Sequence, residues 1–143
     1  MRDTVSTDDN RRIRDMMQEA GLRPTRQRMD LGELLFGGPD RHLTAEMLHE
    51  EAQAKNVAVS LATVYNTLHQ FTEVGLLREV AVCGSKTYFD TNTGNHHHFV
   101  VEDDGEVLDI PGLGVRVDGL AEPPEGMEIT RVDVVVHVRA RKD

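Results

Sequence analysis

The stretch that most constrains the fold of this chain is SLATVYNTLHQFTEVG, residues 60–75, together with the two segments that follow it. Ser60 is a favourable helix N-cap, and Gly75 is a favourable helix end. Between them, four apolar residues at helical spacing form one stripe: Leu61, Val64, Leu68 and Phe71. Segments 76–82 and 86–90 then alternate apolar and polar residues around a short turn, which predicts a β-hairpin. A helix directly before a hairpin indicates a winged helix-turn-helix, in which that helix enters the DNA major groove.

Three more helices are predicted ahead of this one, at 7–20, 24–37 and 42–56. In the second, Pro24 suits the first helical position, and a Gly-Gly-Pro run ends the segment. In the third, Thr44 is the expected N-cap. The N-terminal part of the chain is therefore expected to be helical up to the hairpin.

Strand-like patterns dominate the chain beyond a polar hinge at 91–95. Strands are expected at 96–101, 106–110 and 127–141, and a Gly- and Pro-rich stretch with one short helix is expected at 111–126. The last strand has valine at alternate positions: Val132, Val134, Val136 and Val138. A three-stranded piece of this size is too small to bury such a face alone. We therefore expect it to pair with a second copy of the chain.

The predicted partner of the helical part is double-stranded DNA. The formal net charge of −9 discourages non-specific binding to nucleic acid, but cations cluster in NRRIR (10–14) and RPTRQR (23–28). Hydroxyl and amide groups on the helix at 60–75 suit phosphates and base edges, although a solvated helix face would have the same pattern. The candidate DNA-binding residues are Arg23, Arg26, Arg28, Ser60, Thr63, Tyr65, Asn66, Gln70 and Lys86. Tyr65 lies at the edge of the apolar stripe, so a packing role is its alternative.

Three consecutive histidines stand at the start of the first C-terminal strand. On a strand, His96 and His98 share one face while His97 points the other way. Such a pair can chelate zinc, manganese or ferrous iron, with Asp90 and His42 as further ligands. The alternative is a merely polar hinge. The remaining histidines stand alone and are expected to have surface or interface roles: His49, His69 and His137.

A metalloenzyme is the alternative to a DNA-binding protein. The order His96-x-His98 followed by Glu102 imitates the metal motif of cupin-like metalloenzymes, which need many strands on both sides of it. Residues 7–75 are helical by every local signal, and the chain has neither a P-loop nor a dinucleotide loop. We therefore predict that the chain is not an enzyme.

A single cysteine, Cys83, excludes a disulfide framework and any tetra-cysteine zinc site. No apolar run approaches the length of a membrane span, and the first ten residues do not have the pattern of a signal peptide. A cytoplasmic protein without a membrane partner is expected.

Five segments closely resemble the ferric uptake regulator (Fur) family in order and spacing: GLRPTRQR (21–28), HLTAEMLHEEAQ (42–53), SLATVYNTLHQF (60–71), GSKTYFD (84–90) and HHHFVVEDDGEV (96–107). The resemblance covers roughly residues 15–140. It implies an α+β fold that acts as a homodimer: a winged-helix DNA-binding domain (1–90), a hinge (91–95) and a small α/β dimerisation and metal- or haem-sensing domain (96–143). It also implies a metal site made by His42, Asp90, His96 and His98, in which Asp90 replaces the family's usual glutamate.

Val101 and Asp104 stand where most of this family has a C-x-x-C pair for structural zinc. This departure and the triple histidine resemble the iron response regulator (Irr) branch. That resemblance implies a haem site at His96, His97 and His98, DNA binding under iron limitation, and release by haem. Cys83 could also ligate haem, with a plain turn residue as the alternative. The alternative function is a metal-dependent repressor without haem sensing.

Overall fold

The computed structural model describes residues 7–81, 87–94, 97–110 and 114–142. The chain divides into two compact units, Met1–Thr93 and Gly94–Asp143. Within the described residues, no helix combines the length and the apolar character needed to cross a bilayer.

The first unit contains four helices and a small antiparallel sheet. The helices are α1 (Thr7–Glu19), α2 (Arg26–Phe36), α3 (Ala45–Ala54) and α4 (Leu61–Glu73). The strands are β1 (His42–Leu43), β2 (Arg78–Ala81) and β3 (Thr87–Asp90), in the order β1-β3-β2. Strands β2 and β3 are the predicted hairpin, whereas the predicted turn at 83–85 lies outside the described residues.

Side-chain caps determine where three of these helices begin. Ser60 accepts from the backbone N–H of Thr63 (3.1 Å), and Thr44 caps α3 in the same way, as predicted. The predicted start of α2 at Pro24 was wrong, because Thr25 accepts from the N–H of Arg28 and the helix starts after it. The predicted segment 42–56 also included residues 42–43 ahead of the Thr44 cap, and these two residues pair with β3 instead.

Helix α4 has the predicted apolar face. Val64, Leu68 and Phe71 are completely buried in the core of this unit. Gly75 ends the helix with a positive φ of 83°, and the N–H of Leu76 donates to the carbonyl of Phe71 over 2.8 Å. The opposite face of α4 is left for contacts outside the core.

The described part of the second unit contains one three-stranded sheet. Its strands are β4 (His97–Val101), β5 (Val107–Ile110) and β6 (Val135–Val138), in the order β5-β4-β6. Strand β6 is much shorter than the predicted strand at 127–141, because it pairs with β4 over only four residues and has no other partner among the described residues. Residues 114–126 contain no helix, so the short helix predicted within 111–126 was wrong for that part.

Candidate metal ligands and nucleic-acid interface

His42 and Asp90 lie directly opposite each other on β1 and β3. The Nε2 atom of His42 is 3.0 Å from the Oδ2 atom of Asp90, and Asp90 is completely buried. The second carboxylate oxygen of Asp90 accepts the backbone N–H of Asn92 over 2.8 Å. This bond fixes the carboxylate with one oxygen towards the imidazole, which is the orientation that a shared metal ion would need.

A buried arginine completes the same row of the sheet. Arg78 on β2 is the register partner of Asp90 and is only 5% exposed. Residues in such register on neighbouring strands have side chains on the same face of the sheet. A positive guanidinium group on the face of a buried carboxylate helps to compensate the carboxylate's charge. Arg78 was not among the predicted site residues, because only the pairing of β2 with β3 places it beside Asp90.

The second unit contains another histidine–carboxylate pair. His98 on β4 is the register partner of Asp109 on β5, with 3.5 Å between Nε2 and Oδ1. His98 is 1% exposed, and Asp109 is at the surface. Sequence analysis missed Asp109. The turn Glu102-Asp103-Asp104-Gly105 could have revealed it, because that turn sets the register of the β4–β5 hairpin.

His97 has a different environment from His98. It points to the other face of β4, as predicted, and its Nδ1 atom accepts the backbone N–H of Val134 over 3.0 Å. With Nδ1 acting as an acceptor, a neutral imidazole carries its proton on Nε2. While that bond lasts, His97 has no nitrogen lone pair for a metal or a haem iron. His96, which was expected to ligate both, lies outside the described residues.

The remaining histidines differ in their surroundings. His69 on α4 stacks on Tyr65, with 6.4 Å between ring centroids, and meets the edge of Phe89 at 5.7 Å. Phe89 immediately precedes Asp90, so the strand that carries a candidate metal ligand contacts the predicted DNA-reading helix. His49 is half-buried and His137 is exposed.

The polar face of α4 carries three of the nine predicted DNA-binding residues. Asn66 is exposed, and Thr63 and Gln70 are half-buried. The hydroxyl of Ser60 donates to Thr63 Oγ1 over 3.0 Å, in addition to its capping bond. Both hydroxyl groups therefore lie together at the start of the helix, where backbone N–H groups also point outwards.

Tyr65 makes a contact that the sequence did not predict. Its hydroxyl donates to Glu46 Oε1 on α3 over 2.6 Å. This hydrogen bond to Glu46 raises the pKa of Tyr65 above its ordinary value. The ring also packs against the core cluster of this unit, in agreement with the alternative role considered for it.

Of the predicted cationic DNA-binding residues that the structure describes, two are exposed to solvent and one is hydrogen-bonded within the protein. Arg23 and Arg26 are exposed, whereas Lys86 and Cys83 lie outside the described residues. The guanidinium of Arg28 donates twice to Gln70 Oε1, from Nε (3.3 Å) and from Nη2 (3.1 Å). It also donates from Nη1 to the carbonyl of Arg23 over 2.9 Å. Arg28 and Gln70 therefore connect α2 to α4.

The chain is similar in sequence to a family of known proteins. The profile of the ferric uptake regulator family matches residues 19–136. The peroxide-responsive repressor PerR of Staphylococcus epidermidis is 32% identical over 116 residues, which cover 80% of this chain and 76% of that protein. The same repressor of Staphylococcus aureus is 30% identical over 116 residues, covering 80% of this chain and 77% of that protein.

Two solved structures share the fold. The ferric uptake regulator of Pseudomonas aeruginosa with manganese has a TM-score of 0.68 at 27% identity, covering 90% of this chain and 97% of that one. The ferric uptake regulator of Vibrio cholerae has a TM-score of 0.67 at 22% identity, covering 89% of this chain and 98% of that one. The predicted α+β fold, an N-terminal helical DNA-binding domain and a small C-terminal α/β domain, is confirmed.

Proposed function

Because the chain belongs to the ferric uptake regulator family, we propose that it binds operator DNA as a homodimer and that a divalent metal ion controls this binding. At the level of the family, the chain is a metal-responsive transcription regulator. The relatives' names as repressors support this function over that of an enzyme. The observation that carries the proposal is the pair of the half-buried His42 and the buried Asp90 on the sheet of the DNA-binding unit.

The donor chemistry of the two histidine–carboxylate pairs fits a divalent ion. Imidazole and carboxylate are both ligands for zinc, manganese and iron. One pair offers only two donors, and zinc takes four. We therefore propose as ligands of the divalent ion the four residues that the family resemblance implies: His42, Asp90, His96 and His98. Asp109, 3.5 Å from His98, is proposed to orient that imidazole. The bound ion would supply the positive charge that keeps these ligands in one arrangement.

Helix α4 is the proposed reader of the major groove. Its apolar face is buried, so the exposed Asn66 and the hydroxyls of Ser60 and Thr63 are available to bases and phosphates. The exposed Arg23 and Arg26 provide the positive charge for backbone phosphates, and Lys86 is proposed to do the same.

The homodimer is proposed to form through the second unit. Its described part exposes five large apolar side chains: Leu108, Val117, Leu120, Met127 and Ile129. The alternating valines of the last segment, 132–138, are only half-buried. Apolar surface of this extent on a small unit is typical of a protein–protein interface.

The finer form of the proposal is that DNA binding occurs under iron limitation and that haem releases the protein. The triple histidine and the absence of a C-x-x-C pair support it. Haem iron takes one or two axial imidazoles. Because His98 is buried and the Nδ1 atom of His97 is occupied, ligation by either residue requires β4 to rearrange. His96 is the proposed first ligand.

The second candidate function is a metal-dependent repressor without haem sensing. The specific observation in its favour is the bond from Val134 to His97, which gives this histidine a structural role. In this alternative, His97 stabilises the sheet of the second unit through its hydrogen bond with Val134. Only the two histidine–carboxylate pairs then respond to the ion.

One experiment tests the general proposal. A duplex is selected from a randomised library with the metal-loaded protein, and its affinity is then measured with metal-free and reloaded protein. We expect tight binding only with the metal, and weaker binding by Asn66→Ala than by the surface control Gln53→Ala. A parent protein that selects no duplex would refute the DNA-binding proposal.

The haem proposal has its own test. Equimolar haem is added to the complex of the duplex with the parent and with a variant in which His96, His97 and His98 are alanine. We expect release of the parent and retention of the variant. Retention of the parent would favour the metal-only alternative, and equal release of both would place the haem ligands elsewhere.

A further inference from the structure

The contact between Arg28 and Gln70 determines which hydrogen-bonding group of the Gln70 amide remains available to a ligand. Arginine has five N–H donors and no acceptor, so the end of the Gln70 amide that faces Arg28 must be the oxygen. Two N–H groups of Arg28 converge on that oxygen, at 3.3 and 3.1 Å. The amide nitrogen therefore points away from Arg28, and in the described part of the chain no residue accepts from it.

Gln70 lies on the polar face of α4, one turn beyond the exposed Asn66. A free glutamine can recognise adenine by two bonds, one accepted by its oxygen and one donated by its nitrogen. The oxygen of Gln70 is already held by two donors. Only the amide nitrogen is left to face a ligand on this side of the helix.

We propose that Arg28 is a positioning residue that makes Gln70 a one-sided hydrogen-bond donor towards DNA. This inference rests on the proposed DNA binding by α4. Gln70 then meets a hydrogen-bond acceptor, either a phosphate oxygen or an acceptor atom on a base edge, and it does not make the two-point adenine contact. Arg28 contributes to DNA binding through Gln70 in addition to any contact of its own.

The first test is a double-mutant cycle on the duplex selected by the parent protein. Arg28→Met and Gln70→Met remove the contact from either side, and each should weaken binding roughly 3- to 10-fold, the range of one or two hydrogen bonds. In the Arg28→Met background, the further effect of Gln70→Met should shrink to within about 2-fold. The matched control is Arg26→Met, which removes the same charge from an exposed site on the same helix. The loss of DNA affinity in the Arg26→Met/Gln70→Met double variant should equal the product of the two single losses.

A second variant separates positioning from simple stabilisation. Gln70→Glu retains an oxygen for Arg28 but replaces the donor with a second acceptor. Its thermal unfolding midpoint should match or exceed the parent's, yet its DNA affinity should fall further than that of Gln27→Glu, the same charge change on an exposed site of α2. A merely structural contact predicts equal affinity for these two variants.

A scrambled duplex of the same length identifies the acceptor. If Gln70 donates to phosphate, Gln70→Met weakens binding to both duplexes equally. If it donates to a base, the loss is confined to the selected duplex. The inference would be overturned if the losses of DNA affinity caused by Arg28→Met and Gln70→Met multiplied in the double variant. It would also be overturned if the Gln70→Glu protein bound DNA with the same affinity as the Gln27→Glu protein. A parent that binds no duplex at all would instead refute the proposed function.

Discussion

The imidazole of His42 and the carboxylate of Asp90 are held 3.0 Å apart by a two-residue strand. Two hydrogen bonds, one to a side chain and one between backbone groups, continue this pairing beyond the strand: the N–H of Arg41 donates to Thr91 Oγ1 (2.8 Å), and the N–H of Thr91 donates to the Arg41 carbonyl (3.1 Å). The two side chains are therefore positioned by the sheet itself. Phe89, next to Asp90, meets His69 on α4, which gives the pair a physical connection to the helix proposed to read DNA.

Asp90→Asn should weaken metal binding strongly, because an amide of the same shape has neither the charge nor both acceptor oxygens of the carboxylate. Loss of groups that only orient a ligand already lowers metal affinity about 10- to 100-fold, so the loss of a ligand should reach at least that range. Titration of chelator-treated protein with manganese or zinc measures it. Asp15→Asn, on the exposed face of α1, is the control. Equal affinities for both variants would exclude Asp90 as a ligand.

Tyr65 should titrate at a higher pH than an ordinary tyrosine, because its hydroxyl donates to Glu46 and this bond raises the pKa. The bond needs the neutral phenol. Its stabilisation is fully present below the pKa of the unfolded chain and is lost as the pH rises through the raised pKa of the folded state. NMR of labelled tyrosines resolves Tyr65 from Tyr88. Glu46→Gln should lower the pKa of Tyr65, and an unchanged value would show that the contact does not persist in solution.

Ser60 should have separable effects on stability and on DNA binding. Ser60→Ala removes the cap of α4 and should lower the free energy of unfolding by about 1 kcal/mol. Ser60→Asp retains a capping oxygen but adds a negative charge at the proposed interface, so it should preserve stability and reduce DNA affinity. Denaturant unfolding and anisotropy titration check the two effects. A Ser60→Asp protein that binds DNA like the parent would remove this end of α4 from the interface.

Two variants test the homodimer. Met127→Glu charges a side chain that is 68% exposed, so it cannot disturb the core of a single unit. Val134→Asp charges the half-buried valine face. Both should shift the sedimentation coefficient towards the monomer. A metal chelator should not dissociate the parent dimer, because no C-x-x-C pair is present to hold a structural zinc. If both variants remain dimeric, the proposed interface is wrong.

The elements predicted correctly from the sequence are those that depend on local signals. The caps at Thr44 and Ser60, the apolar stripe of α4 and its end at Gly75 all follow from residues within about three turns of each other. The alternation that predicted β4 and β5 is also local. These features depend on backbone groups and side chains that are close neighbours in the sequence.

The missed features depend on pairing between distant segments. Residues 42–43 look helical by propensity, and only β3 converts them into a strand. Asp109 and Arg78 become neighbours of His98 and Asp90 through strand register, and Glu46 meets Tyr65 through the packing of α3 on α4. The valine-rich segment became a short strand, because its length is set by the partner strand β4.

If metal binding by His42 controls DNA binding by α4, loss of this imidazole should abolish the response of DNA affinity to the metal. The ratio of DNA affinities with and without metal is determined for the parent, for His42→Ala and for His49→Ala, a half-buried histidine of the same unit. We expect a large ratio for the parent and for His49→Ala, and a ratio near one for His42→Ala. A His42→Ala protein whose DNA affinity responds to the metal as strongly as the parent's would show that His42 does not control DNA binding.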